Sequence, residues 1–155
     1  MIGHNKQWVY FKNLIKKDSL GHAYLFTGPE MIGKKTFALE LSKSILGEFE
    51  KNLDFKFIPS TSFDKTQDKL LRTGEPKTSE KEIKIYIEDI RELKKFLSFK
   101  SYNGGQRLII ITNAHSLTNE AANAFLKILE EPPAASTLIL ISSAPGLLPA
   151  TIISR

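Results

Sequence analysis

Apolar residues fall along the chain in two periods, one helical and one extended. Across residues 4–17, Trp8, Phe11 and Ile15 recur at i, i+3 and i+7 with Leu14 beside them, which predicts an amphipathic helix closed by Gly21. Ala23-Tyr24-Leu25-Phe26-Thr27 is a short apolar run flanked by glycines, the pattern of a buried strand. Gly28-Pro29-Glu30-Met31-Ile32-Gly33 follows as a loop, and Phe37, Ala38, Leu41 and Ile45 then predict a helix ended by Gly47. Phe55-Lys56-Phe57-Ile58 reads as a second strand stopped by Pro59.

Residues 60–82 break the pattern. They are rich in Ser, Thr, Asp and Lys, with only Phe63, Leu70 and Leu71 as large apolar groups, and are expected to form a solvated polar insertion. Ile83 to Ile87 alternates at period two, as a short strand or an extended lead-in. Ile90, Leu93 and Leu97 predict a helix from about Asp89 to Phe99, and Asn103-Gly104-Gly105 predicts a turn. Leu108-Ile109-Ile110-Ile111 is apolar on both faces and is expected at the centre of a parallel sheet. Thr118 is placed to N-cap a helix whose Ala121, Ala122, Phe125, Leu126 and Leu129 form one broad face, stopped by Pro132-Pro133. Thr137 to Ile141 is a further buried strand ending in Ser142-Ser143. Strands alternating with helices predict an α/β fold, a doubly wound parallel sheet with helices on both faces.

Composition narrows the class. The 155 residues suit one domain, and 41% hydrophobic with 25% charged residues describes an ordinary globular chain. This excludes a disordered tail and a fibrous repeat. No apolar run approaches the roughly 18–20 residues of a membrane-spanning helix, and the opening MIGHNKQWVY lacks an export signal, so a cytoplasmic address is expected. The absence of cysteine removes disulfides, thiolate zinc sites and thiol nucleophiles. The net charge of +5 comes from 22 Lys and Arg against 17 Asp and Glu. The lysines are dispersed, apart from the pairs Lys16-Lys17, Lys34-Lys35 and Lys94-Lys95, so the charge alone names no partner.

Gly28-x-x-x-x-Gly33-Lys34 satisfies the first seven positions of the phosphate-loop pattern and lies between a strand and a helix, as that pattern requires. In such a loop backbone N–H groups and the helix N-terminus converge on phosphate oxygens, and Lys34 adds a point charge. The eighth position, a Mg²⁺-binding Ser or Thr in the full pattern, is Lys35 here. Thr36 stands one place late, turned by about 100° around the helix. Met31 puts bulk where small residues are common.

A nucleotide hydrolase also needs carboxylates at the end of the Leu108–Ile111 strand, to hold Mg²⁺ and activate water. Here the strand runs on into Thr112-Asn113-Ala114-His115, with no acid at either of the first two positions. Asp89 and Glu120 are poor substitutes. The two departures agree: the loop is suited to an anion or to weak ATP or ADP binding, with no cofactor required and no metal held.

Other residues have plain readings. His4, His22 and His115 are too scattered for a metal site; His22 reads as support for the strand entrance or as a neighbour of an adenine-sized pocket. Trp8 and Phe11 read as core, and Glu130-Glu131 as a solvated helix end. No Ser-His-Asp arrangement can be drawn.

His22-Ala23-Tyr24-Leu25-Phe26-x-Gly28-Pro29, Gly33-Lys34, Ile90-Arg91-Glu92-Leu93, the stretch from Asn119 to Pro133 (NEAANAFLKILEEPP) and the closing Leu148-Pro149-x-x-Ile152-x-Ser154-Arg155 resemble the bacterial clamp-loader ATPase family. The likeness covers nearly the whole chain outside 60–82. It implies an AAA+ domain of the DNA polymerase III clamp loader, a P-loop NTPase-like fold spanning 1–155. The family's lid and collar domains are then expected to be absent from this chain, and its last sheet strand to be missing.

Within the family the departures at Lys35, Thr112 and Asn113 are closer to the delta-prime members than to the gamma/tau motors. The resemblance therefore implies a stator that hydrolyses no ATP by itself, within a nucleotidyltransferase complex serving DNA replication. It implies a hetero-oligomeric ring with gamma/tau and delta subunits, reaching the sliding clamp and primed DNA through the complex, with no membrane. Ser142 and Ser143 stand at the nucleotide-sensing position, equally well read as strand capping. Arg155 stands where the family offers an arginine finger to a neighbour's nucleotide. Many members carry a four-cysteine zinc module, which this cysteine-free chain cannot build. An active gamma/tau-like ATPase is the alternative, and a basic single-stranded nucleic-acid module the third. The aromatics fall on apolar faces, against the third reading.

Overall fold

Leu108, Ile109, Ile110 and Ile111 have no solvent exposure in the computed structural model, which describes residues 4–48, 52–58, 84–102 and 104–154. Their strand, β3 (Arg107–Ile111), is covered on both faces because successive side chains point to opposite sides of the sheet. Leu108 and Ile110 pack with Phe11 of α1 (Asn5–Lys16) and with Phe37, Ala38 and Leu41 of α2 (Lys34–Leu46). Ile109 and Ile111 pack on the other face. There they meet Ile90, Leu93 and Leu97 of α3 (Ile87–Ser98), Phe125 and Leu129 of α4 (Asn119–Glu130), and Ile152 of α5 (Ala150–Ile153).

The strand β4 (Ser136–Ser142) repeats this division, with Ile139 and Ile141 on the α1–α2 side and Leu138 and Leu140 on the other. With β1 (Ala23–Thr27) and β2 (Phe55–Ile58) it completes a sheet of order β1-β4-β3-β2 among the described residues. Every pairing is parallel, with Ala23 opposite Leu138, Arg107 opposite Ser136 and Phe55 opposite Leu108. The doubly wound α/β architecture expected from the sequence is therefore present, and no helix among the described residues is long and apolar enough to cross a membrane.

Two boundaries differ from the sequence reading. Among the described residues before α3, Ile85 forms one parallel bridge to Leu117 and no ladder. Ile85 N–H donates to Ser116 O and Thr118 N–H to Ile85 O, after which α3 begins at Ile87. The helix starts two residues before Asp89 because that carboxylate turns back to accept from the Tyr86 N–H at 3.0 Å, fixing Tyr86 as the N-cap. Thr118 caps α4 as expected, its hydroxyl accepting from Ala121 N–H at 3.2 Å. The polar insertion at about 60–82 lies outside the described residues.

Candidate functional site

In a parallel sheet the loops leaving the carboxyl ends of adjacent strands share one edge, where ligands of doubly wound folds sit. The order β1-β4-β3 brings three such exits together. They are the loop 28–33 after β1, the residues following Ser142 in β4, and Thr112 to Ser116 after β3.

The first exit has phosphate-loop geometry. Gly28 and Gly33 have φ values of 139° and 89°, a region that glycine reaches without steric cost. A Cβ at Gly28 would lie 2.6 Å from Ile32 Cδ1, the tip of an exposed side chain that would have to turn aside. Gly33 is the N-cap of α2, and the first helical bond runs from Phe37 N–H to Gly33 O at 2.8 Å. The N–H groups of Lys34, Lys35 and Thr36 precede that bond and stand outside the helical ladder. Donors of this kind fit a phosphate.

Both lysine ammonium groups of the loop are engaged within the protein. Lys34 Nζ donates to Gly28 O at 2.6 Å and to Pro29 O at 2.5 Å, within its own loop. Lys35 Nζ sits 5.0 Å from the centroid of the Phe57 ring, a cation–π contact across to β2. Thr36 is exposed. Met31 takes a left-handed φ of 61° and projects fully into solvent, so its bulk does not crowd the loop interior.

The other exits carry hydroxyls and imidazole where a hydrolase carries acids. Thr112 donates from its N–H and its hydroxyl to Ile58 O, at 3.1 and 3.3 Å. Asn113 turns the chain in the left-handed region, φ 47°, which asparagine tolerates. Neither side chain is a carboxylate, and Lys35 holds the hydroxyl position of the loop, so the residues at the expected positions do not fit a Mg²⁺ ion. Asp89 is engaged at the start of α3, and no group of three or more His, Cys, Asp or Glu suited to a metal occurs among the described residues.

Ser142 is buried, its Oγ 3.1 Å from His115 Nδ1 and accepting from Ala144 N–H at 3.2 Å. Ser143 Oγ donates to Glu30 Oε1 of the loop at 3.4 Å. These contacts tie β4 to both neighbouring exits. The links through His115 and Glu30 were not legible in the sequence, since each joins residues far apart in the chain with no spacing to signal it. His22 supports β4 through its backbone, its carbonyl accepting from Leu138 N–H. Arg155 lies outside the described residues.

Comparison with known proteins identifies the family. Residues 3–155 match the family described as DNA polymerase III, delta subunit. The chain is similar to the DNA polymerase III subunit delta' of Bacillus subtilis, 34% identical over an alignment of 149 residues that covers 92% of this chain and 43% of that protein. It is also similar to the subunit tau/gamma of Haemophilus influenzae, 31% identical over 165 residues, covering all of this chain and 22% of that protein. Among solved structures, a gamma subunit-related protein of DNA polymerase III from Thermotoga maritima superposes with a TM-score of 0.64 at 24% identity, over 94% of this chain and 43% of that one. The chain thus spans less than half the length of these relatives.

Proposed function

The chain belongs to this DNA polymerase III delta-subunit family and carries its AAA+ type of fold, and from that premise we propose that it is a clamp-loader subunit that hydrolyses no ATP itself. The observation carrying this reading is the exit of β3, where Thr112 and Asn113 occupy the positions that would need carboxylates for metal and water. Lys35 in place of the loop hydroxyl points the same way. The loop keeps its N–H donors, so it takes an anion, or ATP or ADP weakly, with Ser142 and Ser143 next to it at the sensing position. Magnesium and zinc have no part in it.

In this reading the subunit works as a fixed member of a ring with gamma/tau and delta subunits, and meets the sliding clamp and primed DNA through that ring. Arg155 is the residue it contributes to chemistry, delivered to the nucleotide of a neighbour. A guanidinium supplied in trans offsets charge on the transferring phosphoryl group and is worth roughly 10³–10⁵ in rate in well-studied cases. Such a residue needs no catalytic acids in its own chain.

The test uses the full-length protein assembled with clamp-loader subunits. The isolated protein should show no Mg²⁺-dependent turnover above its Lys34→Ala variant, and Arg155→Ala should leave assembly intact while lowering hydrolysis at one neighbouring site. Turnover by the isolated protein would establish the other reading, a gamma/tau-like motor, which the similarity to the tau/gamma relative favours. Unchanged hydrolysis in a correctly assembled Arg155→Ala ring would remove the role of Arg155.

A further inference from the structure

We infer that His4 is a positioning residue of the phosphate loop, an assignment that rests on reading that loop as an anion cradle. His4 precedes α1, yet its Nε2 lies 2.8 Å from the carbonyl oxygen of Ile32, 28 residues further on. A carbonyl oxygen only accepts, so Nε2 carries the proton and donates. The imidazole also stands edge-on to the Phe37 ring, centroids 5.8 Å apart and planes at 66°. Phe37 is buried in the first turn of α2, so the same ring of His4 touches the loop and the helix it opens.

The bond acts on the peptide that leads into the free N–H groups of Lys34, Lys35 and Thr36. A trans peptide is planar, with its C=O and the following N–H on opposite sides. Turning the Ile32 carbonyl toward His4 therefore turns the Gly33 N–H away from it, and fixes the plane just before the helix N-cap. His4 holds this position in a left-handed backbone, φ 57°, which is unfavourable for a residue with a Cβ. Its own carbonyl accepts the first bond of α1, from Trp8 N–H at 2.9 Å. Trp8, the one tryptophan of the chain, meets the same Phe37 ring at 5.7 Å and 80°. The loop, the entrance of α1 and a natural fluorophore thus share one aromatic contact.

Two variants separate the hydrogen bond from the packing. His4→Phe keeps a ring against Phe37 and loses the donor; His4→Gln keeps a donor and loses the ring. With the full-length protein, inorganic pyrophosphate is titrated by calorimetry and by Trp8 fluorescence. The Phe variant should bind about 3–10-fold more weakly than the parent, the range of one hydrogen bond, and the Gln variant within about threefold. A Phe variant that binds like the parent, or a Gln variant as weak as the Phe variant, overturns the assignment. If the parent binds no pyrophosphate, it is the anion reading that fails, and hydrogen exchange at Gly33 to Thr36 decides the role of His4. Faster exchange in the Phe variant than in the Gln variant supports it, and equal exchange refutes it.

Discussion

Arg107 and Asp54 form a buried ion pair at the amino edge of the sheet, Nε 3.6 Å from Oδ1, with 5% and 2% of each residue exposed. The pair joins three elements. The guanidinium also donates to the carbonyls of Phe96 and Lys100 at the end of α3, and lies over the Phe96 ring. The Asp54 carboxylate accepts from Tyr102 N–H at 2.8 Å and from Ser101 Oγ at 3.2 Å. Removing one partner leaves a buried charge uncompensated, so Arg107→Met or Asp54→Ala should each cost about 3–5 kcal/mol in urea unfolding. The double variant should cost less than the sum of the two, a coupling that a double-mutant cycle measures.

Gly28 and Gly33 offer a contrast between crowding and strain. Gly28→Ala meets a φ of +139°, further from the left-handed helical region than the +89° of Gly33, and must turn aside the tip of Ile32, whereas nothing lies within 4 Å of a Cβ at Gly33. Gly33→Ala should cost about 1–2 kcal/mol, from its left-handed backbone alone. The Gly28 variant should cost more, about 2–3 kcal/mol. Thermal unfolding should therefore rank the parent above Gly33→Ala and that above Gly28→Ala.

The cap on α4 is a smaller, separable contribution. Thr118→Ala removes the acceptor for Ala121 N–H and should lower stability by about 1 kcal/mol, with Thr118→Ser retaining most of it. The measurement is the midpoint of urea unfolding at an unchanged slope.

Tyr24 makes alkaline stability testable. Burial pushes its phenol above the ordinary 10.0; the bond from Gly21 N–H opposes this and Tyr10 adds to it. With the folded-state value raised, the unfolded chain releases its proton first. The contribution is present below about pH 10 and is lost as pH rises through the folded value. Tyr24→Phe should lose about 1 kcal/mol at neutral pH with the Gly21 bond, and its stability should fall less steeply above pH 10. An unchanged alkaline slope would contradict the assignment.

The helices and strands were legible because each has a core face with its own period. The all-apolar run 108–111 announced a central strand, and the glycine spacing 28–33 announced the loop between strand and helix. Residues 83–87 were ambiguous because alternation does not tell a paired strand from an extended lead-in. The partner decides, and among the described residues Ile85 makes a single bridge, to Leu117. The positions of the Lys34 and Lys35 ammonium groups were not legible. A motif fixes where a lysine stands, whereas loop carbonyls and the Phe57 ring settle where its flexible stem goes.

The seam between β1 and β4 has a kinetic consequence. Its strands come from opposite ends of the chain, and Thr137 Oγ1 bonds to Gly21 O across 116 residues of sequence. Closing so long a loop is slow to be rewarded, whereas β2, β3 and β4 pair in sequence order across shorter separations. Docking of β1 is therefore expected late in folding, with the loop at its end taking shape alongside it. A fluctuation that releases β1 would undo the loop 28–33 and leave β2 to β4 assembled, so the lifetime of the loop follows that of a pairing between strands far apart in sequence.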